Sequence, residues 1–162
     1  MDQPADEATK QRAYQFIQHN KVMTISSVSP EGQPHSALVY FIFDQQTMQL
    51  FFMTKDTTRK YKNLQTNNKV AVVIGTKDEA ATVQIEGTAA VIPDRAQQMD
   101  TLKKLLEVAN GGSGNWPAVM RLPGTEPPHV FGIKISLIIM YDARSLIEYD
   151  PKNQQAYYKI FP

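Results

Sequence analysis

The feature that most restricts this chain is the shortness of two polar connections near its start. Three β-rich runs, "VMTISSV" (22–28), "HSALVYFIF" (35–43) and "MQLFFMT" (48–54), are separated only by "SPEGQP" and "DQQT". Both connectors have the Gly, Pro, Asp and Ser chemistry of turns. A parallel crossover needs about a dozen residues or more, so links this short join antiparallel neighbours. The first third of the chain is therefore a meander.

Two further runs, "KVAVVIG" (69–75) and "ATVQIEGTAAVI" (81–92), flank the polar turn "TKDEA". Asp78 and Glu79 in that turn, like Asp44 in the earlier one, read as solvated. Gly87 inside the longer run predicts a bulge or bend. The last long run is "HVFGIKISLIIMY" (129–141), and the tail "SLIEYDPKNQQAYYKIFP" leaves room for one short strand. About six antiparallel strands favour a small closed barrel, because closure removes exposed edges. The pattern alone fits an open sheet equally well.

Helical periodicity occurs in two places. Ala13, Phe16 and Ile17 predict an amphipathic helix over 7–20, and Ala96, Met99, Leu102, Leu106 and Ala109 trace a face over 94–110. Asp94 with Gln97 forms a capping-box-like start to the second helix, and Gly111 supplies its stop. The Gly/Pro-rich stretch 111–128 has the length usually kept for functional loops. "GGSGNWP" within it is not a phosphate-binding P-loop, since no Gly-Lys-Ser/Thr follows. Trp116 reads first as a packing anchor and second as a cap over a planar ligand.

With 162 residues the chain fits a single domain, 1–162. It has no cysteine, which excludes disulfides, thiolate metal sites and thiol catalysis. A net charge of +1 gives no bulk attraction for polyanions, so no nucleic-acid partner is expected. "MDQPADEATK" lacks the apolar stretch of a secretory leader. The apolar run 133–141 carries Lys134 and Ser136 and is too short to span a bilayer. A cytoplasmic protein without membrane contact is expected. His19, His35 and His129 show no metal-ligand spacing, so no metal site is expected; His35 is the best placed of them for a functional role. Tyr141, Tyr149, Tyr157 and Tyr158 read as packing residues.

"TKDTTRKYKNL" (54–64) stands apart. Thr57 or Thr58 is a natural N-cap, with Tyr61 and Leu64 as an apolar face. Yet the first turn carries Arg59, Lys60 and Lys62, with Lys55 just upstream. Cations there oppose the helix macrodipole, at about 0.3–1 kcal/mol each. A bound phosphate would reverse that conflict, using free backbone N–H groups, threonine hydroxyls, the Arg59 fork and the Lys60 ammonium. The competing reading is a set of solvated surface cations.

Four markers, "PEGQPH", "TRK", "NNKVAVVI" and "VQIEG", occur in an order and spacing that resembles the split-barrel flavoproteins of the pyridoxamine 5′-phosphate oxidase-like family. The resemblance runs over 16–92, with a weaker echo in 130–144. It implies a mainly β fold with flanking helices, a six-stranded antiparallel split β-barrel, working as a homodimer with FMN between the subunits. By position, Ser36, Ala37, Leu38 and Val39 would run beside the flavin ring, with Met53 and Thr54 beneath it. Thr58, Arg59 and Lys60 would hold the 5′-phosphate, and Thr82 and Gln84 would approach from the partner subunit.

True pyridoxamine phosphate oxidases carry basic residues where this chain has Ser36 and Phe41, and an arginine-rich C-terminal segment that this chain lacks. The resemblance is therefore to the general stress protein type, with a small-molecule redox substrate left open and no residue singled out as catalytic. It allows the deazaflavin F420 or haem in place of FMN, and a flavin carrier or sensor in place of an oxidoreductase. A small-barrel module binding single-stranded nucleic acid is a further alternative, disfavoured by the near-neutral charge.

Overall fold

The computed structural model describes residues 3–75, 80–111, 117–142 and 157–161. Trp116, Asp78, Glu79 and Tyr149 lie outside them. A two-residue strand, β1 (Gln3–Pro4), precedes helix α1 (Glu7–His19) and the meander strands β2 (Val22–Val28), β3 (Pro34–Asp44) and β4 (Gln49–Thr54). Helix α2 (Arg59–Thr66) leads to β5 (Lys69–Ile74) and β6 (Ala81–Val91), then α3 (Arg95–Asn110), a 3-10 turn at Ala118–Arg121, β7 (His129–Asp142) and β8 (Tyr157–Phe161).

The meander pairs as its turns require, with Ile25 opposite Ala37 and Ile42 opposite Phe51. The other edge of β2 takes β5, β5 takes β6, β6 takes β7, and β7 returns to β4 with His129 opposite Thr54. The ring β2-β3-β4-β7-β6-β5 is thus a closed antiparallel six-stranded barrel, and the open-sheet alternative falls. Strand β8 supplies the short strand allowed for in the tail, pairing Tyr157 with Tyr141 beyond the end of β4. Those two rings pack at 5.0 Å. The parallel pairing of β1 with β8 has no signal in the sequence, because two residues carry no periodicity.

Gly87 marks the predicted bend. The β6–β7 register shifts between Glu86 and Gly87, and a Cβ at position 87 would sit 2.5 Å from the Lys134 carbonyl oxygen. Any side chain there would force the strands apart.

Alternate residues of the strands fill the barrel, among them Met23, Ile25, Phe41, Leu50, Phe52, Val72, Ile85 and Phe131. Phe52 stacks on Phe131 at 5.4 Å. Outside the barrel, α3 covers β4 and β7, bringing Leu102 and Leu105 onto Phe51, Met53 and Val130. This second layer explains why β4 is apolar on both faces.

The buried face of α3 overlaps the expected stripe but is turned toward Thr101 and Leu105. Thr101, Leu102 and Leu105 are buried, whereas Met99 is 46% exposed. Leu102, Leu106 and Ala109 of the expected stripe do pack on the cluster, the last two partly buried, and Leu105 joins them. Asp94 caps α3 by accepting from the Gln97 amide at 2.7 Å, and Gly111 ends it in the left-handed region. No helix among the described residues is long and apolar enough to cross a membrane.

Candidate functional site

The junction between β4 and α2 is built from its own hydroxyls. Thr54, fully buried, shares a 2.8 Å hydrogen bond with the hydroxyl of Thr58. The Thr58 amide and hydroxyl both donate to the Lys55 carbonyl, at 3.2 and 2.9 Å. Thr58 is also the N-cap, accepting from the Tyr61 amide at 3.3 Å. Thr57, the other candidate cap, instead turns outward and donates to the Pro123 carbonyl at 2.7 Å. This geometry leaves the amides of Arg59 and Lys60 at the helix start without intrahelical acceptors.

Helix α2 is held to the barrel by Asn63 and its apolar face. The Asn63 amide donates to Ser27 Oγ at 3.0 Å and meets His35 Nδ1 at 3.1 Å. His35 therefore anchors the helix. Tyr61 packs edge-on against Phe131 and over His129.

The cations of the segment separate into different surroundings. Arg59 and Lys62 are exposed. Lys60 is half-buried, with no ion pair among the described residues, and burial pushes its ammonium below the usual lysine range. Lys55, grouped with them by sequence, is fully buried and paired with Glu126, whose side chain is 64% exposed.

Lys60 stands at the edge of a cavity of about 250 Å³. Its walls are Leu38, Val39 and Tyr40 from β3, Met53 from β4, and Pro117, Val119 and Leu122 from the long loop. No carboxylate or imidazole is among these lining residues, so apart from Lys60 and the Tyr40 hydroxyl the side chains lining it are apolar. Leu38 is 73% exposed, and Tyr40 and Val73 are exposed on the same outer sheet face.

Of the residues singled out by sequence, Leu38, Val39, Met53 and Lys60 meet at this cavity. Thr54 and Thr58 are bonded behind Lys60, and Arg59 sits beside it on the exposed side of the turn. Ser36 lies further along β3, hydrogen-bonded through its hydroxyl to Ser26 at 2.8 Å, with Ala37 between it and Leu38. Phe41 is inside the barrel.

Thr82 and Gln84 are elsewhere. Leu38 is opposite Thr24, Thr24 opposite Val73, and Val73 opposite Gln84, so three strand spacings separate Leu38 from Gln84, roughly 14 Å. They share the outer face of the barrel wall but not the cavity of one chain. The loop after α3 was expected to shape the pocket mouth, and it does so through Pro117, Val119 and Leu122, which the sequence did not single out individually.

The family model for pyridoxamine 5′-phosphate oxidase matches residues 9–139. Among solved structures, general stress protein 26 from Bacillus anthracis is 23% identical, with 82% of this chain and 92% of that one covered and a TM-score of 0.60. A pyridoxamine 5′-phosphate oxidase-related, FMN-binding protein from Nostoc punctiforme is 13% identical over 96% of each chain, with a TM-score of 0.64. An FAD-binding protein from Mesorhizobium loti is 17% identical over 80% and 91%, with a TM-score of 0.61. At these identities the likeness is one of fold, and it is the split barrel. No curated protein matches the sequence.

Proposed function

The chain belongs to the pyridoxamine 5′-phosphate oxidase family, and on that premise we propose that it binds FMN in the cavity between β3, β4 and α2, at a homodimer interface. We propose further that it acts there as an oxidoreductase on a small-molecule substrate in the cytoplasm. The observation that carries this reading is Lys60, a half-buried ammonium at the end of an apolar cavity, without a carboxylate partner among the described residues. A buried charge is costly unless paired, so a chain that leaves one there provides for an anionic ligand.

The residues fit the cofactor at both ends. Arg59, Lys60 and the free amides of the α2 start form a donor set for a phosphate dianion. Leu38, Val39 and Met53 offer apolar surface to a ring system and exclude water from it. The cavity of about 250 Å³ is smaller than the ~300–1,000 Å³ usual for ligand pockets, which supports a site completed by a second copy. Such a copy would cover Leu38, Tyr40 and Val73 and bring its own outer face, carrying Thr82 and Gln84, toward the ring. Two-fold symmetry would repeat the exchange.

When bound, the flavin supplies the hydride and electron chemistry. The chain contributes position, electrostatics and a dry wall, since the lining holds neither carboxylate nor imidazole for proton transfer.

The test compares FMN with riboflavin. Replacing Arg59 and Lys60 together by Ala removes two charge-assisted contacts of about 1.5–3 kcal/mol each, so FMN should weaken roughly 100-fold or more. Riboflavin, which has no phosphate, should change little. Equal weakening of both, by fluorescence titration, overturns the assignment. Light scattering that finds a monomer with flavin bound overturns the shared site. A visible spectrum characteristic of haem or deazaflavin after purification would replace FMN, and flavin that stays oxidised with every donor tried would make the protein a carrier.

A further inference from the structure

The loop wall of the cavity is held by the stretch that leads into α2. Lys55, Asp56 and Thr57 immediately precede the cap of α2, and each binds the loop that supplies Leu122. Thr57 donates to the Pro123 carbonyl, and Asp56 accepts from the Thr125 amide at 3.0 Å and from the Thr125 hydroxyl. Lys55 pairs with Glu126. Three consecutive side chains thus grip residues 123, 125 and 126, about 70 positions away.

Gly124, the residue between, shows how close the two backbones lie. Its φ is +135°, and a Cβ there would run into the Asp56 carboxylate and lie 3.3 Å from both Lys55 Cβ and Thr57 Cγ2. The hydrogen bonds from Thr125 hold the Asp56 carboxyl below the usual range, with His129 adding to the effect. Behind the grip, Thr58 is fixed to the Lys55 carbonyl and caps the helix that presents Lys60.

We propose that Lys55, Asp56 and Thr57 are positioning residues for the ligand cavity: they clamp residues 123–126 so that Val119 and Leu122 wall its apolar end, and they tie that wall to its cationic end. The assignment of flavin as occupant rests on the function proposed above, whereas the clamp itself does not. Because Asp56 acts on the ring end rather than the phosphate end, loosening it releases FMN and riboflavin alike. By reciprocity, a ligand seated against both ends tightens the loop.

The test uses the full chain with Asp56→Ala, Asp56→Asn and Gly124→Ala. Asn keeps an oxygen for the Thr125 amide and a polar group for its hydroxyl, so it is the rescuing variant. In the protein without ligand, hydrogen exchange of the amides in 119–126 should rise about tenfold or more with Asp56→Ala and Gly124→Ala, and stay within about twofold with Asp56→Asn. The dissociation rates of FMN and riboflavin should rise by a common factor of about ten in the first two variants.

Unchanged exchange in 119–126 overturns the clamp. Faster exchange with unchanged flavin release shows that the loop positions nothing. If the unaltered protein binds no flavin while exchange responds as stated, the clamp stands and the flavin reading falls.

Discussion

The β4–α2 junction has two sides, and each carries a lysine. On the inner side Lys55 is fully buried, its ammonium taken up by Glu126 from a distant loop. On the outer side, five residues later, Lys60 is half-buried beside an apolar cavity with no ion pair among the described residues. The first charge is spent on holding the chain to itself. The second has no such partner among the described residues. Sequence grouped the two as one cationic run; only their surroundings in the folded chain tell them apart.

That contrast can be broken most directly at Glu126. Removing it leaves the Lys55 ammonium unpaired, so Glu126→Ala should cost about 1–3 kcal/mol in urea unfolding, although Glu126 is the more exposed partner. Lys55→Met keeps the volume and removes the charge, and should cost less than about 1.5 kcal/mol. The reverse ranking would show that the Lys55 charge is not what Glu126 serves.

At Lys60 the sign should invert. Its folded-state pKa is depressed by burial, so the unfolded chain binds more protons and stability rises as pH climbs through that window. At neutral pH the charged form is a burden on the protein without ligand. Lys60→Met should therefore raise Tm slightly, by about 1–3 °C, while weakening FMN. A lower Tm would mean that Lys60 is already satisfied, and the two lysines would cease to differ.

The smallest effect is expected at Asp56. Its carboxyl is depressed, first by the Thr125 hydroxyl, so its contribution to the clamp is complete above the ordinary carboxylate range of about 4. The contribution is lost only as pH falls through the lower folded value. Hydrogen-exchange protection of 122–126 should hold at pH 5–7, fail in acid, and show no such acid step in Asp56→Asn.

Much of the barrel was readable because its information is local. Turns at 29–34 and 44–47 left the meander no other pairing, and Gly87 marked its bend by the absence of a side chain. The cationic helix start was legible for the same reason, since capping and macrodipole act within one turn. What could not be read involved partners remote in sequence. Leu105 is buried more deeply than Leu106, although both pack on the cluster of β4 and β7, because the sheet lies more directly beneath that side of α3. His35, the best placed histidine by position, contacts Asn63 on α2 through Nδ1.

Sequence by itself determined strands β2 to β7 and the three α-helices, the antiparallel meander of β2, β3 and β4, and the gathering of cations at one helix start. Tertiary structure decided that β7 joins β4 to β6 and closes the ring, that residues 117–122 wall the cavity, and that Lys55 and Lys60 face different surroundings. The reason is one of range. Backbone preference and periodicity are set by neighbours a few residues apart, whereas burial and charge pairing depend on which distant surfaces meet when the barrel closes.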